Sequence, residues 1–173
     1  MKKTENQMLV IFGASGDLTA RKLVPALFNL YLAKHLPENF VVLGVSRSNL
    51  SDESFRDRVV YNSDYLQEKI KKNKDSDIQG FANRLYYEDL GSSYDTDFGS
   101  LRKRVEALKE KHSISGNIIY YLSTPPTLYE AIAKRLSESG MNAQENGWKR
   151  LIVEKPFGYS LETAKNLNKG LHQ

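Results

Sequence analysis

Leu9-Val10-Ile11-Phe12-Gly13-Ala14-Ser15-Gly16-Asp17-Leu18-Thr19-Ala20 opens with four apolar residues and then a glycine-rich turn. Val10, Ile11 and Phe12 are β-branched or aromatic, so 9–12 reads as a strand buried on both faces. A helical pattern follows, with Leu18, Leu23, Leu27, Leu30 and Tyr31 recurring at helical spacing. Strand, glycine turn and helix form the first half of a βαβ unit of the kind that binds dinucleotides. Gly13 can turn sharply because it has no side chain. Gly16 lets a pyrophosphate approach the backbone, and the N–H groups opening the helix face the anion. The spacing Gly13-x-x-Gly16-x-x-Thr19 departs from G-x-G-x-x-G, with Ser15 or Thr19 able to donate a hydroxyl. Taken alone, the string also fits an ordinary strand-to-helix turn.

Composition bounds the rest. The 173 residues suffice for one domain with a core, and 40% are hydrophobic. No apolar run reaches the length of a membrane span. The first seven residues lack the apolar centre of a signal peptide, and cysteine is absent, so disulfides and thiolate chemistry are excluded. Both features lead to the expectation of a cytoplasmic protein. A net charge of +4 suits an anionic ligand or an ordinary solvated surface. No basic stripe interleaved with aromatics argues for nucleic acid.

Four more strands follow. A short helical turn over 17–22 is expected, with a kink or fresh start near Pro25 and helix to about His35. The second strand covers 40–46 and ends at Arg47-Ser48. In a dinucleotide fold this point meets the adenine ribose, where an acid selects NAD and a base selects NADP. Arg47 stands there, with no acid until Asp52, which points to NADP; a guanidinium holds phosphate through two hydrogen bonds. Ser51 can cap a helix running through Phe55, Val59, Tyr65, Leu66 and Ile70 to a solvated lysine-rich end at 69–74. A third strand is read at 84–87, a polar loop at 88–94, and a helix through Phe98, Leu101, Val105 and Leu108. The fourth strand spans 117–123, followed by Thr124-Pro125-Pro126 at a helix start. The fifth spans 150–153 and ends in Glu154-Lys155-Pro156-Phe157-Gly158, after which Ser160 can cap a last helix.

These alternations predict an α/β fold, a doubly wound, Rossmann-like parallel sheet of order 3-2-1-4-5 in three αβα layers. Strands 1 and 4 then flank the switch point, making Tyr121, Ser123 and Thr124 candidates for the ligand crevice. Lys155 would stand at its mouth. Tyr121 can equally pack in the core, and Lys-Pro pairs also occur in plain turns. The three histidines do not cluster, so no metal site is expected.

Gly13-Ala14-Ser15-Gly16-Asp17-Leu18, Arg21-Lys22-Leu23 with Pro25, Gly44-Val45-Ser46-Arg47-Ser48, Tyr121-Leu122-Ser123-Thr124-Pro125-Pro126 and Glu154-Lys155-Pro156-Phe157-Gly158 together resemble the coenzyme-binding domain of glucose-6-phosphate dehydrogenases. The resemblance covers the whole chain, in order. It implies oxidation of glucose 6-phosphate to a 6-phosphogluconolactone, with hydride passing to NADP⁺, in the pentose phosphate pathway. By that resemblance Gly13, Ala14, Ser15, Gly16, Asp17 and Leu18 would cradle the pyrophosphate and Arg47 the 2′-phosphate. Tyr121 would lie along the cofactor. Lys155 would bridge cofactor and sugar, and Pro156 would be a cis-proline aiming that lysine. Lys22 matches a family lysine near the crevice.

Thr19, Ala20 and Thr124 depart from the family pattern. The family's R-I-D-H-Y-L-G-K-E-like string, with its basic histidine and orienting aspartate, does not occur before Gln173. The substrate and dimerisation domain is also missing, although full-length members are homo-oligomers by this resemblance. Residues 1–173 are therefore expected to form one NADP-binding domain, inactive by itself, with no nucleic-acid or membrane partner. The alternative is a free-standing NADP-binding sensor without catalysis. A short-chain dehydrogenase would need Tyr-x-x-x-Lys, and Tyr129 is followed at that offset by Ala133. A secretory hexose-6-phosphate dehydrogenase would need a signal sequence.

Overall fold

A computed structural model describes residues 4–155 and 161–171. Strand β1 (Gln7–Phe12) leads through the glycine turn into a π-helical stretch (Thr19–Leu23) and helix α1 (Val24–Leu32). Strand β2 (Phe40–Ser46) precedes α2 (Asp52–Arg56), which runs on into a second π-helical turn (Asp57–Tyr61). Helices α3 (Gln67–Ile70) and α4 (Asp75–Ala82) lead to β3 (Leu85–Asp89) and α5 (Gly99–Lys111). Then come β4 (Ile118–Leu122), a 3₁₀ turn (Pro126–Leu128) into α6 (Tyr129–Glu138), β5 (Lys149–Val153) and α7 (Leu161–Leu171).

All neighbouring strands pair in parallel, in the order β3-β2-β1-β4-β5 expected from the alternation. Side chains alternate across the sheet. Met8, Val10 and Phe12 join Leu101, Val105, Tyr129 and Ile132 from α5 and α6 in one buried layer. Ile11, Val42 and Tyr87 join Val24, Phe28, Phe55 and Phe81 in the other. The register sets Phe12 beside both Val45 and Leu122, and Leu122 beside Val153. Gly13, Ser46, Ser123 and Glu154 therefore follow at one level, along the carboxyl ends of four strands. That level is where ligands bind in open α/β sheets.

The fresh start expected near Pro25 is present as the change from the π-helical stretch to α1 at Val24, with the chain helical on both sides. Val24 donates to the Thr19 carbonyl, and Pro25 sits buried in the first turn of α1, where its missing N–H costs little. Elsewhere local expectations change. The long helix expected through Ile70 breaks after Tyr61, where the Asn62 N–H closes back on Asp57. A separate helix, α4, forms between the lysine-rich end at 69–74 and β3, where the sequence reading assigns no element. Its signal was present: Asp75 and Asp77 suit a first turn, and Ile78, Phe81 and Ala82 bury one face. Finally, β3 extends to Asp89, and the segment beyond is not simply polar, because Leu90 and Tyr94 enter the core. Among the described residues, no helix is long and apolar enough to cross a membrane.

Candidate functional site

Gly13 has φ +84°, a left-handed conformation that a side chain resists. A Cβ there would also strike the Ser123 backbone, 2.8 Å from its carbonyl carbon. The Ser123 N–H donates to the Phe12 carbonyl at 2.9 Å, drawing the turn against the end of β4. Gly13 is thus demanded twice by the fold itself. Gly16 is different. A Cβ there would meet only the Gly13 carbonyl, at 3.1 Å, and its φ is ordinary. Apart from that one tight contact nothing lies within 4 Å of a Cβ there, which leaves the backbone accessible to a ligand.

The turn's own donors are partly spent. Gly13 and Ala14 donate to the Val45 carbonyl at 2.8 and 3.2 Å, and Gly16 to Gly13 at 2.9 Å. Ala14 is 1% exposed and packs in the core, so its side chain shapes the turn and offers nothing to the crevice. Gly44 permits this: a Cβ on it would fall 2.8 Å from both Ala14 and Phe55. Asp17 and Leu18 begin the helical stretch, and N–H groups in a first turn have no intrahelical acceptor. Asp17 is exposed and paired with Arg21 at 3.1 Å.

Of the two hydroxyls considered at the turn, Thr19 is fully buried, its Oγ1 without a hydrogen-bond partner. Ser15 instead joins a hydroxyl cluster. Its Oγ lies 2.6 Å from that of Ser46 and accepts from that of Ser48 at 3.0 Å. Tyr87 donates to the Ser48 carbonyl at 2.7 Å, fixing the loop after β2. Arg47 is exposed beside this cluster, its guanidinium carbon 5.4 Å from the centre of the Tyr94 ring. Burial holds the Tyr94 phenol above its ordinary pKa, so the ring stays a neutral platform for the cation. The first acid after β2 is turned elsewhere: Asp52 accepts from the Tyr87 N–H at 2.7 Å and pairs with Arg104 at 2.6 Å.

Across the crevice, Ser123 Oγ and Thr124 Oγ1 are buried without partners beside Gly13. Tyr121 donates to the Glu154 carboxylate, and Tyr129 to the Glu154 carbonyl at 3.2 Å. Burial, then the bond to Glu154, push the Tyr121 phenol well above its usual range. Both hydroxyls therefore hold the residue immediately before Lys155, which is exposed. Pro156 and Ser160 lie outside the described residues. Lys22 is exposed on the π-helical stretch.

The described residues singled out from the sequence thus gather at one end of the sheet, Ala14 and Thr19 as packing groups. Sequence reasoning missed Tyr94, Glu154, Tyr129 as an anchor, and Gly44. Tyr94 lies in a loop with no periodicity to mark it. Glu154 carried one signal, its place next to Lys155.

Comparison with known proteins agrees with this arrangement. The family model for the glucose-6-phosphate dehydrogenase NAD binding domain matches residues 10–173. A glucose-6-phosphate 1-dehydrogenase of Aggregatibacter actinomycetemcomitans is 46% identical over 99% of this chain and 34% of its own length. One from Bacillus subtilis is 34% identical, again over 99% of this chain and 34% of its own. A solved glucose-6-phosphate dehydrogenase in complex with its substrate glucose-6-phosphate superposes with TM-score 0.84 at 32% identity, over 99% of this chain and 34% of that one. The chain spans about a third of the length of these relatives. With a parallel sheet, a glycine turn at its switch point and a match along nearly its whole length, the chain belongs to the family of glucose-6-phosphate dehydrogenase NAD-binding domains.

Proposed function

We propose that this chain binds NADP⁺ at the carboxyl end of its sheet and serves as the coenzyme domain of a glucose-6-phosphate dehydrogenase. The observation that carries the choice of NADP is the end of β2. Three serine hydroxyls meet there beside the Arg47 guanidinium, and Asp52 is engaged with Tyr87 and Arg104. A ribose 2′-hydroxyl finds no carboxylate acceptor from the β2 loop, whereas a 2′-phosphate finds a planar cation and hydroxyl donors. Gly16 and the first N–H groups of the following helix receive the pyrophosphate. The Tyr121–Glu154 pair lines the wall toward Lys155, and Ser123 and Thr124 pack beside Gly13 with their hydroxyls buried. Bound NADP⁺ supplies a nicotinamide that accepts hydride. The protein's part is to hold it, with Lys155 orienting cofactor and sugar.

Glucose 6-phosphate as substrate is supported by a relative that carries it in its solved structure. Calorimetric titration with NADP⁺ and NAD⁺ tests the cofactor reading. NADP⁺ is expected to bind more tightly, and Arg47→Ala to remove about 2 kcal/mol of NADP⁺ affinity while leaving NAD⁺ nearly unchanged. Equal affinity for both cofactors, unmoved by Arg47→Ala, would refute it.

A further inference from the structure

Arg58 sits on the π-helical turn Asp57–Tyr61, the segment that packs against the π-helical stretch Thr19–Leu23. Its Nη2 donates to the Ser15 carbonyl at 2.7 Å. Ser15 is the residue whose hydroxyl ties Ser46 and Ser48 together. The side chain is exposed, and a guanidinium has five N–H donors. Among the described residues only that one contact engages them. Carbonyl and hydroxyl belong to one residue, so the cation is anchored within roughly 7 Å of the hydroxyl cluster. That is inside the screening length of physiological salt, about 8 Å. The nearby Asp17 carboxylate is already paired with Arg21 at 3.1 Å and accepts from Tyr65 at 3.5 Å. Asp57, next in sequence, is exposed.

The helix sets this up by its phase. Arg56 of α2 donates to the Leu85 carbonyl on β3, at 2.8 Å. Two residues on, about 200° around the helix, Arg58 reaches the opposite neighbour, the turn after β1. One short helix thereby fastens the sheet edge with one arginine and the glycine turn with the next.

We propose that Arg58 is a second cation of the phosphate subsite, selecting the 2′-phosphate together with Arg47 while steadying the turn through the Ser15 carbonyl. The inference rests on the NADP reading above. It adds a specificity residue from outside the β2 loop, on an element that the glycine-turn motif does not include.

Titrations of the purified protein with NADP⁺ and NAD⁺, at low and high salt, test it in Arg58→Ala, Arg58→Lys and Arg47→Ala. Arg58→Ala is expected to weaken NADP⁺ roughly fivefold to tenfold and NAD⁺ less than about twofold, the scale of one partly exposed charge contact. It should also flatten the salt dependence of NADP⁺ binding. Arg58→Lys keeps the charge and should restore most of the NADP⁺ affinity. Equal losses for both cofactors would show that Arg58 only braces the turn, and no loss would remove it from the site; either overturns the proposal. If Arg47→Ala shifts the cofactor ratio and Arg58→Ala does not, this inference alone fails. If neither shifts it, the NADP reading fails as well.

Discussion

Gly13 bears two independent constraints, a left-handed backbone and the Ser123 carbonyl pressed against the place where a Cβ would be. Neither relaxes easily, because both β1 and β4 are interior strands of the sheet. Gly13→Ala is therefore expected to cost on the order of 3 kcal/mol, from strain plus overpacking. Gly16→Ala has an ordinary φ and one tight contact, with the Gly13 carbonyl at 3.1 Å, so it should cost about 1 kcal/mol, well below Gly13→Ala. Urea unfolding of the two variants separates them. A loss at Gly16 as large as that at Gly13 would mean that packing against the Gly13 carbonyl, and not ligand approach, keeps it a glycine. At the same scale, Tyr121 and Tyr129 show how one residue is fixed from two sides. The first takes the Glu154 carboxylate and the second its carbonyl, leaving Lys155 to leave the strand from a held position.

Among elements, α2 does more than connect. Its Ser51–Ser54 capping box starts the helix, with the Ser51 N–H donating to Ser54 Oγ at 2.7 Å and the Ser54 N–H to Ser51 Oγ at 3.1 Å. From that start, Asp52 and Arg56 stand one turn apart and face the outer edge of β3. Asp52 accepts from the Tyr87 N–H and Arg56 donates to the Leu85 carbonyl, at 2.7 and 2.8 Å. The two side chains supply the acceptor and donor that a neighbouring strand would offer, and Arg104 braces the carboxylate. An edge blunted in this way resists pairing with other chains. Asp52→Ala should lose about 2 kcal/mol, since it strips a strand N–H and a half-buried arginine of their partner. It should also raise self-association in sedimentation experiments. A monomeric, fully stable Asp52→Ala protein would show that the edge is protected by something else.

For the whole molecule, the sheet places its two ends in different chemistry. The carboxyl ends gather the glycine turn, Arg47, Tyr121 and Lys155. His35 and His112 follow the carboxyl ends of α1 and α5, helices that return the chain to the amino ends of the strands. Neither of these two described histidines can act as a base in the crevice, and His172 lies outside the described residues. The 173-residue chain is therefore expected to bind cofactor without oxidising glucose 6-phosphate. Absorbance assays with both compounds and the purified chain check this, and steady NADPH formation would overturn it. The far side of the sheet also differs from the β3 edge. β5 alternates between half-buried and exposed positions, with Ile152 41% exposed, whereas β2 is buried throughout.

Local patterning was enough to place the sheet. Apolar runs at 9–12, 40–46 and 117–123 mark strands because a parallel strand is covered on both faces, and glycine and proline punctuate the turns between them. Strand order then followed from the handedness of crossovers. Arg47 and the glycine turn were legible because backbone topology alone carries them to the crevice. Which side chains line the candidate site and which pack in the core emerged only in three dimensions. Ala14 and Thr19 belong to the motif yet turn inward, and Tyr94 and Arg58 belong to no motif yet stand beside Arg47 and Ser15. The helical break after Tyr61 also lay beyond periodicity, since a π turn shifts the phase on which periodicity depends. The physical reason is common to all of these. Local pattern reports how a segment buries its own face, whereas partners from distant segments are set by how the layers meet in space.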